Sequence, residues 1–259
     1  MRSERVSRPG HEARAGQAET DQDQTGEAVH VSGSLIAMFE TGRRIPHPDT
    51  ARRLDELLET GELIGRMAAE ARRDAQPRWF RPWAEVEREA TSLRCFQPVI
   101  IPGLLQTEAY ARAALASGLL VPDRVDEHVA FRLERQALLD RAEPPLTTFV
   151  IDEAALRRGD PTVMKEQLLH LAEVGLRTRV LVHVVPYGAG PYIGQSGAFT
   201  LAEAAGGEHL AFLEDQLEGR VVADPKQVSA LERAWEAVRA VALPRDQSRD
   251  LILKQVNEL

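Results

Sequence analysis

Residues 30–57, "HVSGSLIAMFETGRRIPHPDTARRLDEL", hold two capped apolar stripes in one short run. Ser32 is a good N-cap, and Leu35, Ile36 and Phe39 follow it at helical spacing. Gly42 stands where a glycine ends such a helix, and Arg43 and Arg44 come next. "IPHPD" reads as a turn in which Asp49 caps a second helix with Ala51, Leu54, Leu57 and Leu58 on one face. A third helix is predicted from about Leu63 to Arg73, its basic end suiting the helix dipole. "DAQPRW" (74–79) then reads as the boundary of a new unit.

Working outward, residues 1–29 carry only Met1, Val6 and Val29 as apolar residues larger than alanine. Pro9, Gly10, Gly16 and Gly26 interrupt any stripe, so composition predicts a disordered tail or degenerate first helices, with order beginning near Val31. The expected organisation is therefore residues 1–29, a partial helical module over 30–74, and a larger unit over 75–259.

In that larger unit, "WAEVEREATSL" (83–93) reads as helix and "RCFQPVIIPGLL" (94–105) as an extended stretch broken by prolines. "TEAYARAALASG" (107–118), "DRVDEHVAFRLERQALLDR" (123–141) and "PTVMKEQLLHLAEVGL" (161–176) are amphipathic helices. "LTTFVID" (146–152), "RVLVHVVPYG" (179–188), "GAFTLAEA" (197–204) and "EHLAFLEDQ" (208–216) read as strands, and two helices close the chain. Helices, then grouped strands, then helices predict an α+β fold: a partial all-α module followed by an α+β domain with a small, mostly antiparallel sheet.

Composition excludes several classes. Apolar content of 43% with 28% charged residues is that of a globular protein, and no run approaches the ~20 apolar residues of a membrane span. No leader-like segment opens the sequence and Cys95 has no partner cysteine, so a cytoplasmic protein without membrane contact is expected. The net charge of −8 argues against a protein that coats nucleic acid. Residues 1–74 hold eleven Lys and Arg against fourteen Asp and Glu, so any DNA contact must be local and salt-sensitive.

A helix-turn-helix protein reads bases with small polar side chains near the N-terminus of its second helix. Here those positions are Ser32, Gly33, Ser34 and Ala37, with Arg43 and Arg44 placed to contact phosphates. The same pattern also describes a surface helix with an ordinary cap and two solvated arginines.

The stretch "VSGSLIAMFETGRRIPHPDTARRLDELL" (31–58) resembles the recognition helix and following helices of lambda-repressor-like (XRE-type) regulators. "WFRPWAEVEREATSLRCFQPVIIPGLLQTEAYARAAL" (79–115), "RLERQALL" (132–139), "IDEAALRR" (151–158), "VVPYGAG" (184–190) and "GAFTL" (197–201) resemble the domain of unknown function that follows such modules in actinomycete, antitoxin-like regulators. The resemblance implies double-stranded operator DNA as a partner, a small partner protein or small-molecule ligand for the large domain, and a homodimer. It departs from the family before residue 31. Gln22 matches, but Thr25 stands where leucine packs, Gly26 where alanine does, and His30 at the turn glycine. That departure supports the alternative of a member that has lost DNA binding and works as a small-molecule-binding protein or enzyme.

In the stretches of closest likeness, Glu89, Arg94, Gln106, Tyr110, Arg132, Arg135 and Gln136 are the candidate ligand-binding residues. Glu108, Glu153 and Arg157 fall in the same stretches of likeness. Together these side chains either line a cleft or form a buried network that fixes helix packing. Trp79, Phe80 and Trp83 read as packing anchors, Cys95 as a packed small side chain, and Glu87 with Glu89 as solvated helix charges. The seven histidines show no metal-ligand spacing, "GAGPYIG" has the wrong glycine spacing for a phosphate loop, and no cofactor, metal or catalytic residue is assigned.

Overall fold

Helix formation begins earlier than composition predicts. In the computed structural model, which describes residues 21–75, 79–118, 122–215 and 217–259, residues 21–28 are helical (α1). Val29, just beyond, is 1% exposed. The chain divides into two units, Met1–Ala75 and Gln76–Leu259.

The first unit continues with α2 (Gly33–Glu40), α3 (Pro48–Leu58) and α4 (Leu63–Ala75). Val29, Ile36 and Leu54 form its buried core, with Val31, Phe39 and Ile64 packed against them. Order therefore precedes Val31, and the reason lies in two small residues. A Cβ on Gly26 would sit 2.7 Å from the Val31 carbonyl oxygen, and one on Gly33 would sit 2.9 Å from the Asp23 Cα. Helices α1 and α2 thus meet backbone to backbone, where a large side chain has no room. His30 makes the turn between them at φ 63°, the left-handed conformation usually left to glycine.

Caps set the remaining boundaries. Ser32 Oγ accepts from the Leu35 amide at 3.3 Å, as its position predicts. The cap of α3 falls on His47 rather than Asp49, because Pro48 takes the first helical position and leaves Asp49 in the first turn. Asp55 ties α3 to α4 by accepting from the amides of Ile64 and Gly65, each at 2.8 Å. Burial pushes its carboxyl up, but hydrogen bonds from Thr60, Gly65 and Ile64 outweigh that and hold it below the usual carboxylate value.

The second unit runs α5 (Arg81–Glu89), β1 (Ala90–Gln97), α6 (Glu108–Ala116), α7 (Pro122–Gln136), β2 (Leu146–Asp152), α8 (Pro161–Val174) and β3 (Val180–Val185). It then runs β4 (Phe199–Ala204), β5 (His209–Glu214), β6 (Gly219–Val222), α9 (Pro225–Val241) and α10 (Arg245–Glu258). The α+β class holds. The sheet, however, is mixed and six-stranded, in the order β3-β2-β1-β4-β5-β6, rather than small and mostly antiparallel. Strands β1, β2 and β3 are parallel neighbours, whereas β4 joins β1, β5 joins β4 and β6 joins β5 antiparallel. The cause is "ATSL" (90–93), which looks like the end of a helix but opens β1. Helices α6, α7 and α8 then become crossovers, the connections that parallel strands require.

Alternation along the strands divides the core. Leu93, Cys95, Phe149, Ile151, Val182, Val184 and Phe212 face one cluster with Trp83 of α5, Leu168 of α8 and Ile252 of α10. Phe96, Val150, Val185, Leu201 and Ala211 face the other, against Val228, Trp235 and Val238 of α9. Strands covered on both faces read as near-continuous apolar runs, as "VLVHVV" (180–185) does.

The outer edge of β3 is not left bare. Val184 accepts at its carbonyl from the Leu243 amide at 2.9 Å, and its own amide donates to Ser248 Oγ at 3.0 Å. Ser248 Oγ in turn donates to the Leu243 carbonyl at 3.1 Å, which His183 Nδ1 also meets at 2.9 Å.

Candidate functional site

The helix-rich face of the sheet holds a cavity of about 90 Å³. Its floor is set by strand register: Phe149 pairs with Cys95, Cys95 with Thr200, and Thr200 with Phe212, one row across four strands. Trp83 and Glu87 of α5, the 102–106 turn, and Arg132 and Arg135 of α7 complete the lining. Arg132 and Arg135 lie three residues apart on a helix, so both guanidinium groups reach the same side.

Each arginine has a different partner. Arg135 Nε and Nη2 donate to Glu87 Oε1 and Oε2 at 2.8 and 2.7 Å, a bidentate pair with side chains only 17% and 6% exposed. Its guanidinium also lies 4.5 Å above the Phe80 ring. Among the described residues Arg132 has only a neutral hydrogen-bond partner, donating from Nη1 to Gln106 Oε1 at 2.9 Å. Gln106 Nε2 donates to the Ile101 carbonyl at 2.7 Å, which fixes its oxygen toward Arg132.

Electrostatics follow from this difference. Burial and the neighbouring Arg135 pull the Arg132 guanidinium down to about 10, against a smaller upward pull from Glu214. It remains charged at neutral pH. Burial lowers Arg135 too, but Glu87 more than restores it. Glu214 is pushed up by burial even though both arginines draw it down. The Cys95 thiol, buried in the floor, is pushed up to about 12, so it stays protonated at neutral pH and is a poor nucleophile.

The structure sorts the candidate residues. Gln106, Arg132 and Arg135 line the cavity. Gln136 and Tyr110 stand behind them and brace the 101–106 turn. Gln136 Nε2 donates to the Gln106 and Gly103 carbonyls at 2.7 and 3.0 Å. Tyr110 OH accepts from the Ile101 amide at 3.2 Å. Arg94 points away, since it alternates with Cys95 on β1, and it meets Glu232 of α9 at 3.2 Å. Glu89 is exposed beside Arg88, and Glu108 pairs with Arg112 in the next turn of α6. Glu153 and Arg157 pair with each other at 2.7 Å. The residue that sequence reading missed is Glu87: it is 4% exposed, not solvated. Its signal was available, because Trp83 and Glu87 are four apart and share a helix face.

On the first unit, Ser32, Ser34, Arg43 and Arg44 are exposed and Ala37 is half-buried. Ser32 and Ser34 share a hydrogen bond of 2.9 Å between their hydroxyls. Gly33 is buried against Asp23, so it serves helix packing and presents nothing outward. Gln22 Nε2 donates to Glu40 Oε2 at 2.7 Å, joining α1 to the last turn of α2.

Among the described residues no group of His, Cys, Asp or Glu is placed to hold a metal ion, and no helix is long and apolar enough to cross a membrane. A mixed sheet between helical layers, with a basic cavity over its parallel–antiparallel junction, is the architecture the chain brings to comparison. The chain belongs to the family of the domain of unknown function DUF5753, which matches residues 80–254 and so contains the cavity whole. No match was found among the curated proteins or among the solved structures.

Proposed function

We propose that the chain is an antitoxin-like, DNA-binding transcriptional regulator in which α1 and α2 form a helix-turn-helix and α2 enters the major groove of an operator. The observation that carries this reading is the contact of α1 with α2 through Gly26 and Gly33 across the His30 turn. It leaves Ser32 and Ser34 exposed at the N-terminus of α2, where a recognition helix meets base edges. Arg43 and Arg44 then contact the phosphates flanking that groove. The large unit is the sensing domain, taking a ligand or a small partner protein that shifts the affinity of a cytoplasmic homodimer for DNA.

Gel-shift titration with a fragment of the protein's own promoter, at two salt concentrations, tests this. A sequence-specific shift is expected at low salt, weakening at high salt as counterions compete with the arginine–phosphate contacts. Ser34→Glu places a negative charge at the groove and abolishes the shift. Should that variant bind as well as the wild type, α2 is not the reading helix. Absence of any specific shift at low salt favours the second reading, a small-molecule-binding protein that has lost DNA binding. The acidic excess over residues 1–74, fourteen against eleven, is the observation on its side.

A further inference from the structure

The charges around the cavity do not balance. Arg135 is neutralised by Glu87 through two short hydrogen bonds. Arg132, on the same helix face, lies within ion-pair distance of no carboxylate among the described residues; its described hydrogen bond goes to the neutral Gln106 amide. Glu214 acts on it only from beyond ion-pair distance. A part-buried guanidinium with free donors facing an open space keeps a desolvation penalty that an anion would relieve.

Four features narrow the anion. One uncompensated cation matches one negative charge. The planar fork of an arginine matches the two oxygens of a carboxylate. Opposite, Phe149 and Phe212 of the floor and Trp83 of the wall are apolar, and the floor's polar groups there are the neutral hydroxyls of Thr147 and Thr200, which offer little to a second charged group. Size sets the last limit. At about 90 Å³ the cavity is smaller than the engineered apolar cavity of ~150 Å³ that takes up benzene. We infer that this cavity is a binding site for a small monocarboxylate with a short apolar body, its carboxylate held by Arg132 beside Gln106 and its body resting on the Phe149–Phe212 row.

The inference deepens the reading of the large unit as a sensing domain and names the class of ligand it senses. Gln106 has a double part: its carbonyl oxygen orients Arg132 while its amide is held by the Ile101 carbonyl. Carboxylate binding at Arg132 therefore pulls on the 101–106 turn, which Gln136 and Tyr110 brace from behind.

The test uses the full chain with butyrate, its uncharged counterpart butyramide, and inorganic phosphate, followed by ligand-detected NMR and calorimetric titration. Butyrate is expected to bind with a dissociation constant on the order of a millimolar, as suits so few atoms. Butyramide is expected to bind at least tenfold more weakly, and phosphate more weakly than butyrate. Arg132→Gln is expected to lose tenfold or more for butyrate, while Arg132→Lys keeps part of the affinity. Equal binding of butyrate and butyramide by the wild type overturns the proposal whatever the variants do. So does phosphate binding more tightly, full affinity in a folded Arg132→Gln, or no butyrate binding up to tens of millimolar. Gel shifts with and without butyrate are read separately. Butyrate binding with no DNA binding overturns the regulator reading and leaves the carboxylate site standing; DNA binding without butyrate binding does the reverse.

Discussion

His30 shows how a single backbone angle decides whether the first two helices can meet. At φ 63° it bears the strain of a side chain in the left-handed region. Relieving it with His30→Gly returns about 1–2 kcal/mol of strain, offset by the larger chain entropy of glycine. The net expectation is a gain of under ~1 kcal/mol for the first unit, whereas His30→Val, β-branched, loses at least ~1 kcal/mol. Denaturant melts of the two variants decide it; a stabilised valine variant sinks the argument. Glu87 is the corresponding residue of the second unit. Glu87→Gln leaves Arg135 buried without a counter-charge and is expected to cost about 3 kcal/mol, read as a lower denaturant midpoint at unchanged slope.

At the scale of elements, histidines on β3, α7 and α8 carry the pH response. His183 on β3 is 4% exposed, and burial lowers its pKa from the ordinary 6.5 although the Leu243 carbonyl pulls the other way. Burial lowers His128 of α7 and His170 of α8 in the same direction. The folded chain thus stays neutral at these sites while the unfolded chain takes up protons. Stability from these groups is complete above about pH 6.5 and is lost as pH falls below it. A thermal midpoint that drops between pH 7 and pH 5.5, and drops less in His183→Asn, is the expected result. A midpoint flat across that range would refute it.

Much of this layer is legible in the sequence. The helices α2, α3, α8 and α9 announce themselves by period and cap, and β3 by its near-continuous apolar run. Strand β1 does not, because "ATSL" continues a helical pattern until partners distant in the chain claim it. An extended stretch read only from Arg94 is too short before Pro98 to show the alternation that sends Cys95 to the cavity and Arg94 to Glu232 on the opposite face. Gly26 and His30 read as losses because a family pattern specifies residue types, whereas packing needs only the space and the angle. No local signal couples Arg94 to Glu232, since that contact exists only once α9 has folded over the sheet.

Taken whole, the molecule joins units of unequal core. The first rests on Val29, Ile36 and Leu54, and the second on two extended clusters of aromatic and aliphatic side chains with a smaller one between α6 and α7. A small core supplies little stability, so calorimetry is expected to resolve two transitions, the earlier belonging to the first unit. Gly33→Ala, which sets a methyl group against the Asp23 backbone, is expected to lower or erase the earlier transition and leave the later one in place. A single transition shifted as one by that substitution would show the two cores to be one cooperative unit.

The closure of β3 by Leu243 and Ser248 has a further meaning. An uncovered parallel edge rich in valine is a template for the same edge of another molecule. By occupying the Val184 amide and carbonyl, the last helix and the turn before it keep "VLVHVV" out of intermolecular pairing. The C-terminal segment is in this sense a guard against fibre growth, and detaching it would turn the most legible strand of the sequence into its most adhesive one.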